Sequence, residues 1–245
     1  MTPENRKTEP GWLALVSSPI GNLEDITLRA LRTLKEADLV AAEDTRRSAR
    51  LLNHYDIDVR TTSYHVRNEH RKTAHLVQCV EDGTKVAVLS DAGTPLISDP
   101  GFLLVREALQ RGIEPVIVPG ASSVTYAVTA AGLPADTFCF YGFAPPKAGK
   151  RRRFLHDLAA RGGTAFLFES PYRIEKLLGA ICEVIGPQTP LALIREATKL
   201  HEERLRGTAA ALLHAHTGRT WKGEIVVGLN LRDTADSSRS DDSSC

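Results

Sequence analysis

The chain has 245 residues, enough for one large or two ordinary domains, and its 42% hydrophobic and 25% charged residues are typical of a soluble globular protein. Its formal net charge of +1 argues by itself neither for nucleic acid nor for a membrane surface as partner. The charge is unevenly distributed, because residues 233–245 hold four aspartates and one arginine. The rest has 30 basic and 26 acidic residues, a net charge of +4, which predicts a mildly basic folded part.

The cysteines and the N-terminus narrow the class of protein further. Cys79, Cys139, Cys182 and Cys245 are far apart and show neither CxxC nor Cys/His ligand spacing, which predicts reduced thiols and no metal site. The first ten residues are polar and lack the apolar core of a signal peptide. No stretch approaches the ~20 consecutive apolar residues of a membrane span. We therefore expect a cytoplasmic protein with no membrane partner.

Short apolar runs alternate with helical patterns through the first half of the chain. Strands are predicted at 12–16, 38–42, 61–65, 85–89 and 114–118, and helices at 25–35, 47–55, 69–81, 102–110 and from 119 to Gly132. Asp25 is the predicted N-cap of the first helix. This alternation predicts an α/β domain with a mostly parallel sheet.

The second half predicts another α/β unit. Strands are expected at 138–143, 164–168, 191–195 and 224–229, with helices at 172–185 and 208–216 and a loop with five basic residues at 144–153. We place the N-terminal domain at 12–118, the C-terminal domain at 119–232 and flexible tails at 1–11 and 233–245. The last segment is too poor in apolar residues to order itself.

Residues 88–101 are the stretch around which the chain is organised. An apolar strand ends in a loop of small residues, and a helix follows it. Gly93 permits backbone conformations that other residues avoid, and Pro95 and Pro100 fix φ, so the loop is expected to be rigid. A loop between a strand and a helix lies at the carboxyl end of a sheet, where open α/β folds usually bind ligands.

Two further small-residue loops follow predicted strands, at 19–22 and 119–123. Small residues let the backbone approach a ligand closely, and Ser122 and Ser123 can present hydroxyls and amides at a helix N-terminus. Each loop alone is better explained as a tight α/β turn, but three together indicate a cofactor site. The chain contains no GxGxxG, GxxxxGK[ST], HExxH or GxSxG motif, so dinucleotide, P-loop, zincin and hydrolase functions lack their usual support.

Six segments of the chain closely resemble the bacterial ribosomal RNA small subunit methyltransferase I family. They are LVSSPIGNL (15–23), AAEDTR (41–46), LSDAGTPLISDPG (89–101), AGLP (131–134), ESPYR (169–173) and REATK (195–199). The resemblance runs in order from about Leu13 to about Leu229. That family belongs to the tetrapyrrole methylase superfamily and methylates the ribose 2′-oxygen of a cytidine in the 16S rRNA decoding centre.

The resemblance implies a two-domain α/β fold of the tetrapyrrole methylase kind, a class III methyltransferase. S-adenosyl-L-methionine would lie in a cleft between the domains, and the protein would be a homodimer acting on the small ribosomal subunit. Together with the three loops, the matching motifs assign cofactor contacts to Pro19, Gly21, Asp91, Ala92, Gly93, Thr94, Pro95, Ile97, Gly120, Ser122, Ser123, Glu169 and Ala197.

The implied reaction sets what the catalytic residues must do. A ribose hydroxyl is a weak acid, whereas a sulfonium is an activated leaving group, so placing oxygen, methyl and sulfur in line is the larger task. Glu43 and Asp44, followed by Arg46, are the first candidates to accept the hydroxyl proton, although helix capping plus a salt bridge explains them equally well. Glu196 and Lys199 are the next pair, and an ion pair is their alternative explanation.

Three basic clusters are candidates for contacts with RNA phosphates. Arg46, Arg47 and Arg50 form one, and Arg67, His70, Arg71 and Lys72 form another, but a solvated helix face is the usual explanation of such charges and accounts for both. The third cluster is predicted to bind RNA, because adjacent cations in a loop repel one another unless an anion meets them. It consists of Lys147, Lys150, Arg151, Arg152 and Arg153.

Two other functions fit parts of the sequence. A tetrapyrrole C-methyltransferase would use the same fold and cofactor, but its loop resembles a Gly-Gly-Asp-Pro version of the Ser-Asp-Ala-Gly-Thr-Pro motif seen here at 90–95. A non-catalytic RNA-binding assembly factor could retain the fold without binding the cofactor. The motifs favour the rRNA methyltransferase.

Overall fold

The computed structural model describes residues 11–231, which divide into two compact units, 11–122 and 123–231. The division falls between Ser122 and Ser123, where a helix begins. The tail predicted at 233–245 lies outside the described residues, as does the tail predicted at 1–11 except for Gly11. Within residues 11–231, no helix is both long and apolar enough to cross a bilayer.

The first unit is a five-stranded sheet covered by helices. Its strands are β1 (Trp12–Val16), β2 (Leu39–Ala42), β3 (Arg60–Ser63), β4 (Lys85–Leu89) and β5 (Val116–Val118). Its helices are α1 (Leu28–Glu36), α2 (Thr45–His54), α3 (Glu69–Glu81) and α4 (Phe102–Gln110). The strand order is β3-β2-β4-β1-β5 and every pair is parallel, as the alternating pattern predicts.

Helix α1 begins later than predicted. Asp25 lies in a short 3-10 turn (Leu23–Asp25), and the N-cap is Thr27, whose hydroxyl accepts a hydrogen bond from the Ala30 amide at 3.1 Å. Aspartate and threonine both cap helices well. Because Asp25 lies within the 3-10 turn, Thr27 is the residue directly before the helix.

The central strands of the first sheet are apolar because both of their faces are covered. Ala14 and Val16 of β1 belong to a core cluster with α1 and α2, whereas Leu13 and Leu15 belong to a second cluster with α3 and α4. Alternate side chains of a strand point to opposite faces, so one short apolar run contributes to two hydrophobic cores.

The strand order creates a crevice between β1 and β4. After β1 the chain moves toward the β3 edge of the sheet, and after β4 it moves toward the β5 edge. The helices that follow these two strands therefore pack on opposite faces, α1 in one core cluster and α4 in the other. In open α/β sheets such a switch point leaves room for a ligand at the carboxyl ends of the two strands.

The second unit contains a mixed sheet of five strands. They are β6 (Phe138–Phe143), β7 (Thr164–Glu169), β8 (Pro190–Arg195), β9 (Glu203–Thr208) and β10 (Ile225–Asn230), in the order β6-β7-β10-β8-β9. Its helices are α5 (Ser123–Ala131), α6 (Ala148–Arg161), α7 (Ile174–Val184) and α8 (Ala209–Ala215). Only β6 and β7 pair in parallel; the other pairs are antiparallel.

One sequence prediction for the second unit is wrong, and one strand of this unit was not predicted. The loop predicted at 144–153 ends at Lys147, because α6 begins at Ala148 and runs through the basic stretch. Arg151, Leu155 and Leu158 repeat at helical spacing, and all three are buried. Strand β9 was not predicted, because it is a polar edge strand whose side chains are exposed or only half-buried.

The packing of α4 provides a stability test. Leu104 is fully buried, so Leu104→Ala is expected to lower the free energy of unfolding by about 2–5 kcal/mol through reduced burial and a new cavity. Leu109, on the same helix, is 50% exposed, and Leu109→Ala serves as the control with a change below about 0.5 kcal/mol. Denaturant unfolding measures both. Equal effects in the two variants would contradict this packing.

Candidate functional site

The loops that follow β1 and β4 are joined by backbone hydrogen bonds. The Ser18 amide donates to the Gly93 carbonyl at 2.9 Å, and the Gly93 amide donates to the Ser18 carbonyl at 3.1 Å. The Ser17 hydroxyl also donates to Thr94 Oγ1 at 3.2 Å. These contacts fix the two loops beside each other at the crevice between β1 and β4.

The third small-residue loop, 119–123, lies against the first. The Ser17 amide donates to the Val118 carbonyl at 3.1 Å, at the end of β5. A Cβ placed on Gly120 would lie 2.9 Å from the Cβ of Ser17, closer than side chains pack. Because β4, β1 and β5 are neighbours in the sheet, the loops after them form one continuous group. We call that group, residues 17–22, 90–101 and 119–122, the donor loops, after the methyl donor that the family resemblance implies.

The loop after β4 holds strained backbone in place. Leu96 and Ser98 have φ of 75° and 66°, a left-handed conformation that non-glycine residues rarely adopt. Gly93 has φ of 85°, and the Ser90 hydroxyl donates to its carbonyl at 2.9 Å. Such strain is maintained only where the surrounding structure over-determines it, and it is concentrated at functional sites.

A buried hydroxyl in the donor loops lacks a hydrogen-bond partner. Ser18 Oγ is buried, and no residue in 11–231 donates to it or accepts from it. Leaving a buried polar group unsatisfied costs about 1–3 kcal/mol, so such groups normally find partners. A small polar ligand between the loops would supply one, so this hydroxyl and the close-packed loops fit a bound cofactor.

The residues predicted to contact the cofactor in the first unit all lie on the donor loops. Exposure differs among them: Pro19, Gly93 and Pro95 are buried, whereas Gly21 and Ile97 are exposed. The structure thus brings together the positions assigned to the first unit. They are Pro19, Gly21, Asp91, Ala92, Gly93, Thr94, Pro95, Ile97, Gly120 and Ser122. Ser123 starts α5 and belongs to the second unit.

The Asp91 carboxylate connects the loop after β4 to the segment that follows the neighbouring strand β2. Asp91 accepts a hydrogen bond from the Asp44 amide at 2.9 Å through Oδ1, and its Oδ2 lies 3.4 Å from the Arg47 guanidinium. Partial burial and the charge of Asp91 raise the pKa of the Glu43 carboxyl, although Arg47 and His65 oppose the shift. Glu43 is therefore a carboxylate that takes up a proton more readily than an ordinary glutamate.

Asp44 is occupied as a helix cap. Its Oδ1 accepts from the Arg46 amide at 2.9 Å, and both carboxylate oxygens bind the Arg46 guanidinium, at 3.1 and 2.9 Å. These hydrogen bonds hold the pKa of Asp44 well below its usual range. A carboxylate that binds protons so weakly is a poor proton acceptor, so the capping explanation holds for Asp44 and Arg46, and Glu43 is the remaining candidate of the three.

Glu196 and Lys199 form an ion pair within the second unit. Lys199 Nζ lies 2.8 Å from Glu196 Oε1 and 3.1 Å from Glu224 Oε2, and Glu196 also accepts from the Glu224 amide at 3.0 Å. Burial opposes ionisation, yet the hydrogen bond from Lys199 keeps the pKa of Glu196 below its ordinary value. The contacts of both residues support the structural explanation.

The two second-unit residues assigned to the cofactor have partners of their own. Glu169 is buried at the end of β7, where its carboxylate accepts from the Ser170 amide and pairs with Arg173, both at 2.7 Å. Ala197 packs against the core cluster beneath α5. Their roles as cofactor contacts therefore stay predictions from the resemblance.

The basic cluster on α6 is smaller than its sequence suggests. Arg151 is buried, and its Nη1 donates to the Pro146 carbonyl at 3.2 Å. Arg152 pairs with Glu183 of α7. Arg151 is therefore removed from the set of expected RNA contacts, because its guanidinium is turned into the protein. The exposed members that form no ion pair within residues 11–231 are Lys147, Lys150 and Arg153.

Ser17 and Ser18 are the site residues that the sequence analysis missed. Both are buried at the end of β1, and one joins the loops while the other supplies the unpartnered hydroxyl. The available signal was a pair of small polar residues directly after an apolar strand, which is unusual for positions that become fully buried.

Comparison with known proteins identifies the fold. The family model of the tetrapyrrole (corrin/porphyrin) methylases matches residues 13–213. A solved uroporphyrin-III C-methyltransferase from Thermus thermophilus has a TM-score of 0.63 and 22% identity, covering 94% of this chain and 98% of that one. The methyltransferase CobJ has a TM-score of 0.68 and 19% identity, covering 90% and 94%. At such identities the two structures show the fold alone, which is that of a tetrapyrrole methylase, as predicted.

Relatives named ribosomal RNA small subunit methyltransferase I are much more similar in sequence. The protein from Mesorhizobium japonicum is 50% identical over 91% of this chain and 76% of its own length. The one from Thermotoga maritima is 44% identical over 91% of this chain and 100% of its own length, and the one from Pseudomonas aeruginosa is 44% identical over 89% and 78%. The chain belongs to this family, which confirms the resemblance, and it is a methyltransferase.

The inward position of Arg151 leads to a prediction about stability. Arg151→Ala is expected to lower the melting temperature by several degrees, because the side chain is buried on the inner side of α6 and donates a hydrogen bond to the Pro146 carbonyl. Arg153→Ala, two residues along, removes an exposed side chain and is expected to leave the melting temperature unchanged. Thermal unfolding followed by circular dichroism distinguishes them. An unchanged melting temperature in Arg151→Ala would indicate that this side chain lies in solvent.

The raised pKa of Glu43 predicts a pH-dependent stability. A carboxyl with a higher pKa in the folded than in the unfolded state destabilises the folded state once it ionises, so the penalty is complete above the folded pKa and absent below the unfolded one. Glu43→Gln is expected to raise the melting temperature at pH 7 and to match the parent chain below about pH 4. A gain in melting temperature that persists at acidic pH would show that ionisation of Glu43 does not cause it.

Proposed function

We propose that this methyltransferase transfers a methyl group from S-adenosyl-L-methionine to the ribose 2′-oxygen of a cytidine in the 16S rRNA decoding centre. The observation that most strongly supports this proposal is the sequence identity of 44–50%, over about nine tenths of the chain, to three proteins named ribosomal RNA small subunit methyltransferase I. We further propose, from the family resemblance, that the protein is a cytoplasmic homodimer and that the small ribosomal subunit is its partner.

The donor loops are the proposed cofactor site. S-adenosyl-L-methionine, when bound, supplies a methyl group on a positively charged sulfonium. The absence of side chains at Gly93 and Gly120 lets these loops pack against Ile20 and Ser17, which would hold their backbone groups in place for such a ligand. Ser18 Oγ would gain its missing hydrogen-bond partner there. The ties between Ser17, Ser18 and the loop after β4 would fix the site before the ligand arrives, which lowers the entropy cost of binding.

Glu43 is the proposed acceptor of the ribose hydroxyl proton. It lies at the end of β2, directly beside β4 and its loop, and the Glu43 amide donates to the Leu89 carbonyl at 3.4 Å. Its raised pKa brings the carboxyl closer to the pH at which a general base works best. Asp91 acts as a positioning residue, because it binds the Asp44 amide and lies beside Arg47, both in the segment that directly follows Glu43.

A labelling experiment tests the proposed reaction. The protein is incubated with methyl-labelled S-adenosyl-L-methionine and small subunits that lack the modification, and ribose methylation is mapped by resistance of the RNA backbone to alkaline cleavage. Label on one decoding-centre cytidine is the expected result, and subunits that already carry the methyl group serve as the control.

Other outcomes of the labelling experiment would overturn the proposal. Label on a base, or label accepted only by uroporphyrinogen, would assign the protein to another substrate. RNA binding without cofactor binding by calorimetry would indicate a non-catalytic assembly factor.

Replacing Glu43 tests the proton acceptor separately. Glu43→Gln is expected to lower the single-turnover rate of methyl transfer by about 10²–10⁴-fold and to abolish the rise of the rate with pH, because the amide cannot take up the proton. Affinities for cofactor and RNA should be retained. Asp44→Asn, which removes the cap charge, serves as the comparison and should retain the pH profile. A Glu43→Gln variant with the parent pH profile would show that Glu43 does not accept the proton.

A further inference from the structure

The carboxyl edge of the first sheet is divided between two kinds of loop. The donor loops occupy the ends of β4, β1 and β5. The other two strands, β2 and β3, are neighbours at one side of the sheet and are followed by arginine-rich segments at 43–50 and 64–72. The Tyr64 amide donates to the Ala42 carbonyl at 2.7 Å, so the two segments begin side by side.

The arginines of these two segments differ in whether a carboxylate neutralises them. Arg46 is bound by Asp44, and Arg47 lies beside Asp91. Arg50, Arg67 and Arg71 are exposed, and no ion pair or hydrogen bond connects their side chains to any residue in 11–231. We call these three arginines the basic face. The acidic groups nearby are Glu43, Asp44, Glu69 and Asp91, two of which are already paired.

Backbone dipoles add to the positive potential of this edge. Helix α3 begins here, and helix N-termini carry a partial positive charge, whereas the N-terminus of α2 is capped by the Asp44 carboxylate. The side chain of Asn68, at the N-cap of α3, makes no capping bond; its amide nitrogen donates to the Ser63 carbonyl at 3.2 Å and its oxygen accepts from the His65 amide at 2.9 Å. The first amides of α3 are thus not neutralised by the cap residue.

The arrangement suits an extended polyanion better than a single anion. Arg50 belongs to α2, while Arg67 and Arg71 belong to the turn before α3 and to α3 itself. Because α2 and α3 pack on opposite faces of the sheet, the unpaired guanidiniums flank the ends of β2 and β3 from both faces. Guanidinium groups bind phosphate oxygens in a planar, two-pronged geometry. Repeated phosphates along one strand of RNA would meet them in succession.

We propose that the basic face binds backbone phosphates of the substrate RNA next to the nucleotide that accepts the methyl group. The inference rests on the proposed function and adds which surface of the first unit holds the RNA. Strand β2 lies between β3 and β4, so Glu43 stands between the basic face and the donor loops. An RNA strand held at Arg67 and Arg50 is thereby directed toward Glu43 and the loop after β4.

The test compares two triple variants that remove the same amount of charge. Arg50→Gln, Arg67→Gln and Arg71→Gln together remove the basic face. The control combines Arg32→Gln and Lys35→Gln on α1 with Arg60→Gln at the opposite, amino end of β3, and all three control side chains are exposed. Binding of a decoding-centre fragment of 16S rRNA is measured between 50 and 200 mM salt, and cofactor binding is measured by calorimetry.

The basic-face variant is expected to bind the RNA at least about 10-fold more weakly at 0.1 M salt. Its log–log salt slope should fall by about 2, or about 0.7 for each RNA phosphate that an arginine no longer neutralises. The control should bind like the parent chain, and cofactor affinity should be unchanged in both. Should the triple variant fail to fold, Arg67→Gln alone is expected to reduce the slope by about 0.7.

Three results would overturn the inference while leaving the proposed function intact. Equally weakened binding in both triple variants would indicate a nonspecific charge effect. An unchanged salt slope in the basic-face variant would exclude these phosphate contacts, and weaker binding only on replacing Lys147, Lys150 and Arg153 would place the RNA on α6. Failure of the parent chain to methylate small subunits at all would instead overturn the proposed function.

Discussion

Two backbone hydrogen bonds between Ser18 and Gly93 hold the loops after β1 and β4 across the crevice between these strands. The contact depends on the strand order, because only adjacent parallel strands bring their following loops so close. It also depends on glycine at position 93, where φ is positive and the Cβ of another residue would press on Ile20. The remaining donor loop then packs on Ser17, and the unpartnered hydroxyl of Ser18 is enclosed among them.

Asp91 adds a charged contact to these backbone hydrogen bonds. It belongs to the loop after β4, yet its carboxylate binds the first residues beyond β2. The same negative charge adds to the effect of burial on Glu43 and makes that carboxyl easier to protonate. One side chain thus connects the geometry of the small-residue loops to the protonation state of the neighbouring strand end.

The sequence predicts those features that depend on local pattern. Strands β1 and β4 are recognisable because burial on both faces requires an apolar run, and the donor loops are recognisable because close packing selects small residues and proline. The family resemblance then adds the residues within them. Strand β9 escapes prediction, because an edge strand with partly exposed faces has no apolar signature.

Charged residues are harder to place from sequence, because the same letters describe paired, buried and free groups. The run of basic residues on α6 contains one buried arginine, one arginine paired with Glu183 and others in solvent. The only sequence signal that identifies the buried one is its helical spacing from Leu155 and Leu158, which places all three on the same side of the helix. Asp44 and Glu43 are adjacent in sequence, yet their pKa values are shifted in opposite directions. Burial and the distant Asp91 raise the pKa of Glu43, whereas Arg46, only two residues along the chain, lowers that of Asp44. Burial and the contact with Asp91 cannot be recognised from the local sequence.

The hydroxyl contact between Ser17 and Thr94 spans 77 positions of the chain, and the Gly120 backbone must also reach Ser17. Contacts of such long sequence separation form late, because the intervening loop must first be closed. A nascent polypeptide still missing residues 119–122 would therefore hold a partly assembled sheet without a finished ligand site. The three donor loops can therefore close on one another only after the fifth strand and its loop have been synthesised and have joined the sheet.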